Sequence, residues 1–232
     1  MLRVSVKSFV SVIAAIVLMA GCGNANRSAS TGEAQRAGSC DYPVNGEPVK
    51  PVDPPNAQDV INTGEASAIL HMTAGDVTIT MDRSGAPCTI NSFLSLAEQG
   101  WLDNSKCHRL TDHGIFVLQC GDPSGTGRGG PGYTVPDELS PLTTGLEGSG
   151  QGNSAIYPRG TVAMANTGRP NTGGSQFFIV WEDSQLDPTY AVFGQVDEAG
   201  LAVVQDIASQ GVDAEDETSP IAEARITSVT LG

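Results

Sequence analysis

Short strand-like segments separated by turns are the feature that most restricts the fold of this 232-residue chain. Between residues 67 and 231, stretches rich in Val, Ile, Thr and Phe alternate with turns that contain Gly, Pro, Asn or Asp. The predicted strands are residues 67–72, 76–81, 106–110, 115–120, 161–165, 176–181, 191–195 and 226–231. The first two flank Thr73-Ala74-Gly75, a sequence typical of a β-hairpin.

Two segments, residues 87–99 and 198–210, instead carry apolar side chains every three or four positions, which predicts helices. Each is followed by a glycine, Gly100 or Gly211, as is common at helix ends. Many short strands with only two helices predict an all-β barrel or sandwich with helical plugs.

The beginning of the chain predicts export. Arg3 and Lys7 precede an uncharged apolar stretch, residues 9–20, which is short for a transmembrane helix and built like a secretory signal. The stretch ends in LMAGC, which resembles the lipobox of bacterial lipoproteins, in which the cysteine becomes the lipidated first residue. We therefore expect a signal peptide over residues 1–21.

Cys22 is accordingly the expected lipid attachment site, which would anchor the protein to the outer face of the cytoplasmic membrane. Secretion after ordinary signal cleavage is the alternative, because Met19 is a less usual occupant of its position than Leu, Val or Ile. Residues 22–64 are rich first in Gly and Ser and then in Pro, and they predict a tether. The remaining residues, 65–232, are long enough for one domain with a proper core.

Charge and cysteine content exclude several functions. Removal of residues 1–21 takes away two of the 12 basic residues and none of the 26 acidic ones, which leaves a formal charge of about −16. Such a surface disfavours nucleic acid, so no nucleic-acid partner is expected. Cys107 and His108 cannot complete a zinc site, because no Cys-x-x-Cys pair accompanies them. We expect no metal and no cofactor.

Four cysteines other than Cys22 remain for disulfides in an oxidising compartment. They are Cys40, Cys88, Cys107 and Cys120, and three complete pairings are possible. The sequence leaves the pairing open, with free buried thiols as the alternative for at least one pair.

The segment PNTGGSQFF, residues 170–178, places an amide and an aromatic ring on one strand face. Gln176 and Phe178 are two residues apart, so both side chains point the same way while Phe177 points to the other face. A hydrogen-bonding group beside an apolar surface suits a ligand that is partly peptide-like and partly apolar.

Four motifs follow one another along the domain: CHRL (107–110), FVLQCGD (116–122), AMANTGRPNTGGSQFF (163–178) and YAVFGQV (190–196). Together they resemble the cyclophilin-type peptidyl-prolyl isomerases, whose hallmarks include Phe-His-Arg, Gln-Gly-Gly-Asp, Met-Ala-Asn and Gly-Ser-Gln-Phe-Phe. The resemblance extends from about residue 67 to residue 231. It implies an eight-stranded antiparallel closed β-barrel capped by two α-helices, which agrees with the number of predicted elements.

The resemblance also implies a site. Arg109 matches the catalytic arginine, which can stabilise the prolyl nitrogen lone pair as the amide twists, and Gln119 would orient it. Since no bond is broken in proline isomerisation, no nucleophile is required. The implied substrate-binding residues are Phe116, Val117, Ala165, Asn166, Gln176, Phe178, Leu186 and Tyr190.

Departures from the family pattern modify these expectations. Val117 replaces the usual methionine, and two extra residues between Arg109 and Gln119 put the position of Phe116 in doubt. Gln185 and Tyr190 stand where many members carry tryptophan and histidine, so weak cyclosporin binding is expected.

The sequence thus predicts a monomeric isomerase that acts on proline-containing exported polypeptides. A membrane-tethered proline-peptide-binding or chaperone module with little turnover is the alternative. His108 is predicted to be a hydrogen-bonded core histidine, and the Gly- and Ser-rich segment 136–157 a long loop without an assigned role.

Overall fold

Eleven β-strands and two helices form the regular structure of residues 38–139 and 154–232, which are the residues described by a computed structural model. The strands are β1 (Glu65–Met72), β2 (Gly75–Asp82), β3 (Ser105–Lys106), β4 (Arg109–Leu110), β5 (Val117–Cys120), β6 (Ala155–Tyr157), β7 (Thr161–Met164), β8 (Phe177–Val180), β9 (Ser184–Leu186), β10 (Val192–Val196) and β11 (Arg225–Leu231). The helices are α1 (Pro87–Glu98) and α2 (Glu198–Ser209). Cys22, the predicted signal peptide and most of the segment 136–157 lie outside the described residues.

Nine of the strands form one antiparallel sheet in the order β3-β11-β1-β2-β10-β7-β8-β5-β4, and β6 pairs separately with β9. The edge strands β3 and β4 are joined by only two residues, Cys107 and His108. Since successive Cα atoms are about 3.8 Å apart, the two edges lie within roughly 11 Å of each other. The sheet must therefore curl strongly, and it forms a half-barrel.

The all-β class and the two helices are thus confirmed, whereas the strand count was wrong. The predicted strand 106–110 is two strands, because Lys106 pairs with Arg225 of β11 and Arg109 pairs with Gln119 of β5. The strands β6 and β9, which pair with each other, were not predicted. No ladder between β3 and β4 is present among the described residues, so a closed barrel is not confirmed.

Alternating side chains build the main core on one side of the sheet. In β2, Val77, Ile79 and Met81 are buried, while the intervening Thr80 and the last residue, Asp82, are exposed. Helix α1 packs Ile90, Phe93 and Leu96 into this core. The ring of Phe93 lies 5.6 Å from that of Phe177 and 5.4 Å from that of Phe193, between centroids, which connects the helix to β8 and β10.

The two helices begin at different kinds of cap. Asp197 precedes α2, and its carboxylate accepts a hydrogen bond from the Gly200 N–H at 2.7 Å. Helix α1 has no cap of this kind from the residue before it. The carboxylate of Glu138 instead accepts hydrogen bonds from the N–H groups of Cys88 and Thr89, at 2.8 and 2.7 Å. A carboxylate at this position also complements the positive end of the helix dipole.

Residues 38–64, here called the N-terminal arm, pack against the domain. Tyr42 is buried, donates to the Cys88 carbonyl at 2.9 Å and packs edge-on against Tyr133. The Asn45 N–H donates to the Gly132 carbonyl at 2.8 Å. The predicted tether over residues 22–64 is therefore wrong for residues 38–64. Its composition resembles that of a linker, but one buried tyrosine and one cysteine hold it to the domain.

The structure also decides the disulfide pairing. Cys40 of the arm pairs with Cys88 of α1, and Cys107 pairs with Cys120, across 48 and 13 residues of sequence respectively. Each bond joins segments that already contact each other, so the pairing follows the tertiary fold. Within residues 38–139 and 154–232, no helix has the length and apolar character needed to cross a membrane.

Candidate active site

The register of three adjacent strands places a cation, an amide and an aromatic ring in one row. Arg109 of β4 lies directly opposite Gln119 of β5, and Gln119 lies opposite Phe178 of β8. Side chains that face each other across antiparallel strands project to the same side of the sheet, with Cβ atoms about 5 Å apart. The sheet itself therefore brings together residues that are as many as 69 positions apart in the sequence.

This row lies on the side of the sheet opposite the main core. Phe177 and Ile179 belong to the main core, while Phe178 and Val180 belong to a second, smaller apolar cluster. The rest of the second cluster includes Val117 and Tyr157, with Ile115, Ala165, Leu186 and Tyr190 packed at its border. The strand alternation predicted for Phe177 and Phe178 is thus present.

A pocket of about 130 Å³ opens over the second cluster. It is lined by Arg109, Ile115, Val117, Gln119, Ala165, Asn166, Phe178, Leu186 and Tyr190. The structure therefore gathers eight of the ten predicted site residues of the domain around one cavity. The exceptions are Phe116 and Gln176.

Phe116 does not line the pocket, which corrects its predicted role. Residues 115, 117 and 119 line the cavity, whereas Phe116, which directly precedes β5, does not. Its ring packs edge-on against Trp181, 5.0 Å between centroids. Ile115 lines the pocket instead, and it is the residue that the sequence interpretation missed.

Gln176 lies next to the pocket and completes a directional chain of amides. Its Oε1 accepts a hydrogen bond from Gln119 Nε2 at 2.8 Å, and its Nε2 donates to the carbonyls of Gly127 and Gly129 at 3.0 and 2.9 Å. Gln119 Oε1 in turn faces the Arg109 guanidinium at 3.5 Å. The carbonyls of the loop thereby determine which end of each amide points towards the arginine.

Arg109 retains most of its hydrogen-bonding capacity. A guanidinium has five N–H donors, and the single contact to Gln119 is long. Among the described residues no carboxylate forms a salt bridge with Arg109, in contrast to Arg159 and Arg225, which pair with Glu198 and Glu223. Arg109 is therefore not part of an ion pair among the described residues. Its half-buried side chain offers free donors at the pocket.

Asp122, the last residue of the FVLQCGD motif, organises the loop that holds Gln176, a role that the sequence analysis did not assign to it. Its buried carboxylate accepts hydrogen bonds from the N–H groups of Ser124, Thr126 and Gly129 at 2.8, 3.1 and 3.0 Å. The hydroxyls of Ser124 and Thr126 donate to it as well. Burial by itself raises the pKa of Asp122, but these hydrogen bonds outweigh burial and lower it below its ordinary value of 3.8.

His108 is buried between this loop and the strands. Neither ring nitrogen has a hydrogen-bond partner among the described residues. The prediction that His108 is buried is therefore confirmed, whereas the prediction that it is hydrogen-bonded is wrong. Burial lowers the pKa of His108, which favours the neutral imidazole. A neutral ring beside Arg109 adds no charge that would repel the guanidinium.

Tyr190 forms an aromatic wall of the pocket and is held by Tyr157. The rings of Tyr190 and Phe178 meet edge-on at 5.3 Å between centroids. Burial raises the pKa of Tyr157 to about 12, so its hydroxyl stays protonated. The single hydroxyl proton is shared between the carbonyls of Asp187 and Tyr190, at 3.2 and 3.3 Å. Tyr157 is a supporting residue that the sequence interpretation did not identify.

A larger cavity of about 510 Å³ continues from the small pocket, with which it shares Gln119, Ala165 and Asn166. Its remaining walls come from residues 127–134, Thr167, Thr172, residues 174–176 and three arm residues, Asn45, Glu47 and Val49. The Ala165 N–H already donates to the Gln176 carbonyl at 2.9 Å, which leaves the Ala165 carbonyl and the Asn166 backbone to pair with an extended ligand.

Comparison with known proteins agrees with this geometry. The family model described as cyclophilin type peptidyl-prolyl cis-trans isomerase/CLD matches residues 68–231. Two curated relatives are named probable peptidyl-prolyl cis-trans isomerase B, from Mycobacterium leprae and Mycobacterium tuberculosis. Their sequences are 43% and 42% identical to this one over 197 residues, which cover 83% of this chain. The matches cover 66% and 64% of those relatives, so the chain spans slightly less than two thirds of their length.

Solved structures show the same likeness. A crystal structure of a Cryptosporidium parvum cyclophilin type peptidyl-prolyl cis-trans isomerase is 28% identical, with a TM-score of 0.60 over 73% of this chain and 98% of that one. The same protein in the presence of the dipeptide Ala-Pro has a TM-score of 0.59 over 72% of this chain and 98% of that one.

Asp122→Asn should destabilise the protein at neutral pH by about 3 kcal/mol, because an amide nitrogen cannot accept the hydrogen bonds that reach one side of the carboxylate. The folded-state pKa is lowered, so this stabilisation is present above pH 3.8 and is lost as the pH falls through the folded pKa. Urea unfolding of both proteins between pH 7 and pH 2.5 or so should show the difference shrinking in acid.

Asp82→Asn is the matched control, since Asp82 is exposed and accepts hydrogen bonds from Ser84 N–H and Oγ in the same local arrangement. It should cost less than about 0.5 kcal/mol. Equal losses for the two variants would show that Asp122 does not organise the loop as described.

Proposed function

Because the chain belongs to the cyclophilin-type peptidyl-prolyl cis-trans isomerase family, we propose that it accelerates rotation about Xaa-Pro bonds in polypeptides. The observation that carries this proposal is the row of Arg109, Gln119 and Phe178 across β4, β5 and β8. A cation and an apolar slot lie side by side, which matches the two halves of an Xaa-Pro unit.

Rotation about the prolyl amide must overcome a barrier of about 20 kcal/mol that arises from amide resonance. As the bond twists, the nitrogen loses conjugation, becomes pyramidal and gains a basic lone pair. A guanidinium N–H of Arg109 can donate to that lone pair, which does not accept a hydrogen bond in the planar ground state. The interaction therefore stabilises the transition state selectively, and each ~1.4 kcal/mol gives about a tenfold increase in rate.

The pocket accounts for the choice of proline. Its volume of about 130 Å³ is small for a ligand site and suits one compact ring. Val117, Phe178 and Leu186 supply apolar contacts for the pyrrolidine ring while the preceding carbonyl turns. The larger cavity, entered past Ala165 and Asn166, would take neighbouring residues of the polypeptide.

The effect of Gln119 is to hold Arg109 in position. Because Gln119 Nε2 is already committed to Gln176, its oxygen is oriented towards the guanidinium. The arginine is thus pre-oriented before substrate binds, and little reorganisation is required during the rotation.

Arg109→Ala should lower kcat/KM for a short Ala-Pro-Phe peptide by about 100-fold, the typical effect of removing one pre-organised donor. Two-dimensional NMR exchange between the cis and trans peptide signals measures the rate directly. Arg83→Ala is the matched control, because Arg83 donates to the Glu65 carbonyl and does not line either cavity.

Equal exchange with wild type and Arg109→Ala would remove the mechanism. If the wild-type protein bound the peptide without accelerating exchange, the alternative of a peptide-binding or chaperone module would replace the enzyme.

Cyclosporin should bind weakly. Gln185, which stands where many family members carry tryptophan, is exposed on β9, and its Nε2 donates to Ser154 Oγ at 2.7 Å. It cannot supply an indole ring to an apolar macrocycle. Calorimetric titration should give tighter binding to Gln185→Trp than to wild type, whereas nanomolar affinity of the wild-type protein would contradict the proposal.

We also propose that the protein is exported and anchored through a lipid on Cys22, on the strength of the signal and lipobox patterns in residues 1–22. Its substrates would then be exported proteins whose folding waits on proline isomerisation. Metabolic labelling with a radioactive fatty acid should mark the wild-type chain but not Cys22→Ala. A labelled Cys22→Ala chain would show that the lipid is attached at another residue, and an unlabelled wild-type chain that accumulates in the medium would favour secretion instead.

A further inference from the structure

The Cys107–Cys120 disulfide lies next to both members of the Arg109–Gln119 pair. Cys107 precedes Arg109 by two residues, and Cys120 directly follows Gln119. Both half-cystines are buried in the main core, with 1% and 0% of their surfaces exposed. The covalent bond therefore lies on the core side of the strands whose other side forms the pocket.

Strand β4 has few other contacts that could set its position. It is two residues long and forms an edge of the sheet, and its ladder to β5 consists of Arg109 opposite Gln119 and Leu110 opposite Leu118. On either side of this ladder, backbone hydrogen bonds join His108 N–H to Gln119 O and Thr111 N–H to Val117 O, both at 3.0 Å. The Leu110 N–H donates away from β5 to the Thr218 carbonyl at 2.7 Å, and the Val117 N–H donates to Thr111 Oγ1 at 3.0 Å. Short edge strands of this kind open and slip easily.

The chain also changes partners at this point. Lys106 pairs with β11, and the Cys107 N–H donates to the Ala224 carbonyl at 2.7 Å, whereas Arg109 pairs with β5. Cys107 is thus the residue at which the chain passes from one edge of the sheet to the other. A covalent bond from this residue to β5 connects the two edges.

We propose that Cys107 and Cys120 are positioning residues for Arg109. Their disulfide fixes the register and the separation of β4 on β5, and it thereby keeps the guanidinium beside Gln119 Oε1 at the pocket. The inference rests on the proposed isomerase activity and adds to it a covalent element that supports the catalytic cation.

The second disulfide is a natural control. Cys40–Cys88 joins the arm to α1, and neither residue lines the small pocket. It closes a longer loop, 48 residues against 13, so in the chain-entropy model its loss should destabilise the folded state at least as much. If the disulfides affected catalysis only through stability, loss of Cys40–Cys88 would lower the activity at least as much. If Cys107–Cys120 positions Arg109, its loss would lower the activity more.

The test compares the full chain carrying Cys107→Val/Cys120→Ala with the full chain carrying Cys40→Ala/Cys88→Ala, using the NMR exchange assay and a short Ala-Pro-Phe peptide. Removal of Cys107–Cys120 should lower kcat at least tenfold and leave KM within about twofold, while the control should keep both values within about twofold. The melting temperature of the Cys40→Ala/Cys88→Ala control should fall by at least as much as that of the Cys107→Val/Cys120→Ala chain.

A purely structural role would not produce coupling to Arg109. In an Arg109→Ala background, removal of Cys107–Cys120 should cause no further loss of rate, because the group that it positions is already absent. Losses that multiply independently in the combined variant would contradict the proposal.

Reduction provides a second measurement in case the Cys107→Val/Cys120→Ala chain does not fold. In the Cys40→Ala/Cys88→Ala chain, dithiothreitol closes to its cyclic disulfide and gives two electrons and two protons to the remaining bond, which becomes two thiols. The kcat should fall as in the double variant at unchanged far-ultraviolet circular dichroism, and it should recover on oxidation with oxidised glutathione.

The outcomes separate the two levels of the proposal. A wild-type chain without isomerase activity would overturn the proposed function itself. An active wild-type chain that keeps its full kcat after complete reduction, verified by thiol alkylation, would leave the enzyme in place and overturn the positioning role.

Discussion

The register between β4, β5 and β8 is the constraint on which the site depends. Arg109, Gln119 and Phe178 face one another only because these strands pair residue by residue. A slip of one residue would turn Gln119 into the core and bring buried Leu118 or Cys120 to the pocket, since the side-chain period of a strand is two. The short ladders at this edge need additional fixation, and the hydrogen bonds of Gln176, the Asp122 loop and the Cys107–Cys120 bond surround them.

The sheet separates stability from recognition by using its two faces. One face is filled by Phe177, Phe193 and the apolar side of α1, which form a continuous core. The other carries the smaller cluster around Val117 and Phe178, which stays open enough to leave a pocket of about 130 Å³. Because neighbouring residues of the same strand serve the two faces, the position of the pocket is tied to the packing of the core. Phe116, between two residues that line the pocket, instead packs its ring against Trp181.

The two charged side chains at the site, Asp122 and Arg109, differ in how many hydrogen bonds the protein makes to them. Asp122 is buried and charged, and its hydrogen bonds to N–H and O–H groups stabilise the negative form. Arg109 has no such partner among the described residues, although the whole chain carries a formal charge of −14. An arginine kept apart from abundant carboxylates retains donors for a ligand. The amide chain through Gln119 and Gln176 orients this cation without neutralising it.

Local pattern was enough to predict both helices, the shared face of Gln176 and Phe178, and the strands other than β6 and β9, because each depends on residues close together in the chain. Four motifs in the order typical of the family indicated the family and most of the site. Four features required the tertiary structure: the pairing of the cysteines, the packing of the arm, the exclusion of Phe116 in favour of Ile115, and the supporting roles of Asp122 and Tyr157. Each depends on a contact between segments distant in sequence. Amino-acid order specifies side-chain spacing along a strand, whereas only the folded sheet determines which strands meet and which side of them faces the ligand.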